Sequence, residues 1–124
     1  MIDDQTVAYV IVAQTCFEDL KQVAAQLAGL LVLGSKPDHP MLLSAEQAYR
    51  SAVDGLKSAR VSARARAHHD HLLAAASSLG LALRELRVQR DALPLLERAY
   101  SDLRAASRSL PGFPMISFER GCCA

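Results

Sequence analysis

Between residues 9 and 30, apolar side chains recur at alternating steps of four and three: Tyr9, Ala13, Cys16, Leu20, Val23, Leu27 and Leu30. A helix turns once per 3.6 residues, so this rhythm lays a single stripe along one side of it. Val10, Phe17, Ala24 and Leu31 widen the stripe into a broad apolar face. Gln14, Glu18, Lys21, Gln22 and Gln26 mostly fall elsewhere. Val7–Ala13 is β-branched enough to suit a strand, but its continuity with the stripe assigns it to the helix. Asp3 or Asp4 can cap the beginning and Gly34 the end, which predicts a helix from about Asp4 to Leu33.

Residues 34–43, with two prolines and a glycine, predict a connector. Ser44 followed by Gln47 predicts a capping box opening a second helix, whose apolar face continues through Tyr49, Ala52, Leu56, Ala59 and Ala63. Between Arg60 and His71 the pattern fails. Apolar residues resume at Leu72, Ala76, Leu79, Leu83 and Leu86, rotated by about half a turn from the earlier phase. A reversal near Ala63–Ala67 would explain the rotation, and so would one long helix over 44–90 that buries different faces at its two ends. No Gly or Pro lies between Gly55 and Gly80, which suits the long helix. The phase break and the need for matched lengths favour two helices. A final helix begins near Asp91, with Pro94 in its first turn, and buries Leu96, Ala99, Tyr100, Leu103, Ala106 and Leu110 before Pro111-Gly112.

The pattern predicts an all-α, antiparallel up-and-down bundle of four helices, or of three with one very long central helix. It spans residues 1–110. Residues 111–124 form an apolar tail, expected to lie extended against the bundle or a second subunit. Composition supports this picture. Hydrophobic residues make up 51% of the 124 and charged residues 22%, which argues against disorder. Aromatics are only 5% and Trp is absent, so Leu, Ala and Val must build the core, as close-packed helices require.

A net charge of +1 argues against nucleic acid as a partner. The first half is acidic and the second basic, so the two can neutralise each other within a bundle or across a dimer. Val23–Leu33 is too short to span a bilayer, and Met-Ile-Asp-Asp lacks the basic start of a signal peptide. A cytoplasmic location is the expectation, with no membrane contact. Three cysteines without a spaced framework do not make a disulfide scaffold. The excess of Arg over Lys, with abundant Ala, fits a GC-rich bacterial genome.

The densest candidate chemistry is His68-His69-Asp70-His71. On a helix His68 and His71 share a face, so both imidazoles can reach one zinc or other transition-metal ion. Further ligands must come from elsewhere, and Cys122 and Cys123 offer soft donors. The Glu-x-x-His pairs of di-iron bundles are absent. The bland alternative is a polar helix junction whose histidines face water. Arg60 and Arg64 share a face and can meet a phosphate or an acidic partner, or simply stay solvated.

The run His71-Leu72-Leu73-Ala74-Ala75-Ala76-Ser77-Ser78-Leu79-Gly80 resembles the segment around the phosphorylated His of histidine phosphotransfer domains. Those domains are four-helix bundles of about this length. The resemblance covers the architecture and this one motif, and it implies His71 as the phosphoryl acceptor. The family's Lys and Gly after the His are missing, although Ala75 is small.

No catalytic motif stands out, so the expected function is a non-enzymatic interaction module that forms a homodimer, with another protein as the secondary expectation for a partner. A metal- or small-ligand-binding bundle and His71 phosphotransfer are the alternatives.

Overall fold

The computed structural model describes residues 4–34 and 39–109. Helix α1 spans Asp4–Leu33, α2 Pro40–Ser58, α3 Arg66–Arg87 and α4 Leu93–Ser109. A single 3-10 turn, Ala63–Ala65, precedes α3. There is no strand among the described residues. Cross-helix neighbours fix the directions. Gln26 meets Ser44 and Cys16 lies beside Gly55, so α1 and α2 run antiparallel. Tyr49 lies beside Gly80 and Glu46 pairs with Arg87, so α2 and α3 do too. His71 facing Asp102 does the same for α3 and α4. The described residues therefore form an up-down-up-down bundle of four helices, and the long central helix is excluded.

The predicted stripe of α1 is the core. Every residue of it, from Tyr9 to Leu30, is buried, as are Val10, Phe17 and Ala24. Leu42 and Leu56 of α2, Leu72 and Leu79 of α3, and Leu96 and Leu103 of α4 meet it. Each buried leucine contributes about 2–3 kcal/mol by leaving water. Alanines at 13, 24, 45, 52, 75, 82, 99 and 106 are also buried and let the helix axes approach closely.

The second helix starts earlier than its capping box predicts. His39 is its N-cap: its Nδ1 accepts a 3.0 Å hydrogen bond from the Met41 N–H, and Pro40 occupies the first turn. Proline lacks only an N–H that has no intrahelical partner there, so it begins this helix rather than preventing it. Ser44 sits inside the helix and accepts from Gln26 Nε2 at 3.2 Å. The reversal comes at residues 59–65, slightly ahead of Ala63–Ala67, and is made without Gly or Pro. Ser58 Oγ donates to the Asp54 carbonyl at 2.9 Å, closing α2. Ser62, buried in the connector, shares a 2.8 Å hydrogen bond with Thr6 of α1.

The other ends follow ordinary capping chemistry. Gly34, at φ 67°, closes α1 with its N–H on the Leu30 carbonyl. After α3, Gln89 takes φ 59°, and the N–H groups of Gln89 and Arg90 reach the carbonyls of Leu86 and Glu85. This is a Schellman closure with Gln at the position usually held by Gly. Asp91 Oδ1 accepts from the Leu93 N–H at 3.0 Å and starts α4. Leu110, the 111–124 tail and its two cysteines lie outside the described residues.

Candidate functional site

Thr6, Ser62, His68 and His69, four of the five buried polar residues among those described, gather at one end of the bundle, where α1 begins, α2 ends and α3 begins; Ser78 lies farther along α3. Tyr9 and His68 carry the cluster. Tyr9 belongs to the core stripe, and a buried phenol needs a partner for its hydroxyl. His68 on α3 supplies it: Tyr9 Oη lies 2.8 Å from His68 Nδ1. The rings meet edge to face, with centroids 5.6 Å apart. His69 packs edge-on against the same phenol at 5.8 Å. Its Nδ1 is buried and has no hydrogen-bond partner among the described residues.

Burial keeps this cluster neutral. Loss of water lowers the His68 pKa to about 4, helped by the neighbouring His69 and His71. His69 is lowered by burial and by Arg66, with Asp70 opposing. Burial raises the Tyr9 hydroxyl above the ordinary phenol range, and the Cys16 and Asp70 charges push the same way. Tyr9 and His68 thus offer a neutral hydrogen-bonding pair, not an ionised acid or base. The Cys16 thiol is also raised by burial, as an inert core cysteine should be.

Beside the cluster α1 overhangs the end of α2 and leaves an open groove of about 730 Å³. Ala8, Val12 and Ala59 form its apolar walls, with Tyr9 among its lining residues. Asp4, Gln5, Ser58 and Arg60 rim it.

The other predicted residues disperse. His71, two-fifths exposed, turns to α4, where its Nδ1 lies 3.8 Å from Asp102 Oδ1. His68 is buried against Tyr9, so the two histidines have different partners. The remaining histidine, His39, is not one of the predicted site residues and caps α2 at the opposite end of the bundle. Arg60 is at the groove, while Arg64 is exposed on the 3-10 turn. Cys122 and Cys123 lie outside the described residues. Among the described residues no group of three or more His, Cys, Asp or Glu is placed to hold a metal ion, and no helix is long and apolar enough to cross a membrane.

The outward face of α1 is a second feature, missed in the single core stripe. Opposite that stripe, Val7, Ile11, Gln14 and Glu18 recur with the same four-three spacing. Lys21, Ala25, Ala28 and Val32 continue it. None of these eight is buried, and Ile11 and Val32 are 65% and 87% exposed. The face is thus mixed: Val7, Ile11 and Val32 stand at its two ends, with Gln14, Glu18 and Lys21 between them. Counting the exposed apolar positions of α1 for their own periodicity would have found this stripe.

No protein-family model matches the chain, and no curated protein or solved structure is significantly similar to it.

Proposed function

We propose that the chain is a non-enzymatic helical interaction module that self-associates through the outward face of α1. One observation carries this reading: Ile11 and Val32 stand in water on a heptad stripe of a helix whose opposite face is already the core. Covering Val32 and Ile11, 87% and 65% exposed, would gain roughly 1–2 kcal/mol each, and Val7, 41% exposed, less. Exposed large apolar side chains at both ends of one helix face, with polar residues between them, fit a protein contact with an apolar and a polar part. The neutral, mutually bonded Tyr9 and His68 in the interior support a scaffold rather than a catalyst.

Sedimentation equilibrium from low to high micromolar protein tests the reading. A reversible monomer–dimer equilibrium is expected, with Ile11→Glu held monomeric at unchanged helicity. A chain that stays monomeric at high micromolar concentration would remove it.

A second reading has its own observation, the groove beside Tyr9 and its Arg60 rim. It would accept a small amphipathic carboxylate, with the acid on Arg60 and the apolar body on Ala8, Val12 and Ala59. Benzoate is a suitable probe. Amide shifts at Tyr9 and Arg60 on titration would support binding there; silence at millimolar benzoate would discard it.

A further inference from the structure

We infer that the partner of the α1 face is a second copy of this chain, with the two α1 helices antiparallel about a two-fold axis between Glu18 and Lys21. This rests on the self-association reading and adds orientation and register to it. The stripe is self-complementary when reversed. Val7 then faces the partner's Val32, and Ile11 faces the partner's Ala28. Gln14 faces the partner's Ala25, and Glu18 faces the partner's Lys21.

Size and charge both choose this arrangement. In the antiparallel register the large Ile11 enters the space left by small residues, as a knob enters a hole. Acid meets base twice across the axis. A parallel pairing in register would set Glu18 against the partner's Glu18 and Lys21 against the partner's Lys21. It would also stack small residues on small, leaving voids in the C-terminal half. A two-fold contact requires a patch complementary to itself, and the antiparallel register provides one.

The size of the stripe sets the strength. From Val7 to Val32 the helix rises about 38 Å, so a stripe about 10 Å wide covers roughly 380 Å² per subunit. The total of about 750 Å² lies below the size of stable specific interfaces, so association is weak and reversible. Exchange of subunits in solution follows, which makes mixing experiments practicable.

The test uses the full chain with Cys122→Ser and Cys123→Ser, leaving the buried Cys16 in place. One preparation carries Val7→Cys and the other Val32→Cys, both at exposed positions. They are mixed, oxidised mildly and resolved by mass. The antiparallel register yields the mixed disulfide, which joins position 7 of one copy to position 32 of the other. It loses both homo-linked species, because sulfurs far apart along the helix cannot bridge. Homo-linked products, each joining two copies of the same variant, would overturn the orientation while leaving self-association standing. A dimer by sedimentation with no crosslink in any mixture would overturn the assignment to this face. A monomer by sedimentation would remove the self-association reading itself, and this register with it.

Discussion

Tyr9 Oη and His68 Nδ1 lie 2.8 Å apart inside the bundle, joining the second turn of α1 to the first turn of α3 across 59 residues of chain. Both side chains are almost fully buried, at 2% exposure. Neither is satisfied without the other, because little water reaches them. Removing one partner therefore costs more than the net value of the bond. Tyr9→Phe should lower unfolding free energy by about 1–3 kcal/mol through the unpartnered His68 Nδ1. Urea unfolding at pH 7.5 checks this; a variant as stable as the parent would show that the bond holds nothing together.

The same histidine makes stability depend on acid. In the unfolded chain His68 takes up a proton near its ordinary value of 6.5, and in the bundle only near 4. Above 6.5 both states are neutral and His68 adds no pH dependence. Between 6.5 and 4 the unfolded state binds the proton first, so stability falls as pH falls. The slope is a little over 1 kcal/mol per pH unit, or ~3 kcal/mol across the window. His69, also lowered, adds in the same direction. Denaturation midpoints at pH 7.5, 5.5 and 4 should decline in the parent and decline less in His68→Gln. Equal slopes in the two would assign the acid sensitivity to other groups.

Gly55 is fixed by a neighbour. A Cβ built there would stand 2.7 Å from the buried Cys16 Sγ, inside van der Waals contact. Gly55→Ala should gain about 1 kcal/mol of helix propensity yet lose more to the clash, since crowding a packed core costs about 1–3 kcal/mol. In a Cys16→Ala background the sulfur is gone and the same change should become stabilising. A double-mutant cycle on thermal midpoints reads this coupling. Additive effects would contradict the packing described.

Gln89 closes α3 in the left-handed region at φ 59°. An L side chain there is strained by roughly 1–2 kcal/mol, which Gly avoids. Gln89→Gly should stabilise the bundle by about 1 kcal/mol after the entropy of the unfolded glycine is subtracted. A lower thermal midpoint for this exposed substitution would count against the Schellman closure.

Local pattern was enough to establish the helices and their inner faces. Leu, Ala and Val at four-three spacing leave no other way to bury one side of α1, and local caps at Gly34 and Asp91 act within a few residues of themselves. The α2–α3 reversal was legible only as a shift of phase, because no Gly or Pro marks it and Ser62 is anchored by Thr6, distant in sequence. The start of α2 was misplaced because His39 caps through a ring nitrogen, outside the usual set of capping residues. The site itself came from packing between distant segments. Three residues of separation put His68 and His71 on one helical face, but that face is wide enough to turn one toward Tyr9 and the other toward Asp102. The buried side of α1 was legible in its rhythm, whereas the exposure of Ile11 and Val32 on the other side was decided only by packing, because α2, α3 and α4 all gather on the core stripe.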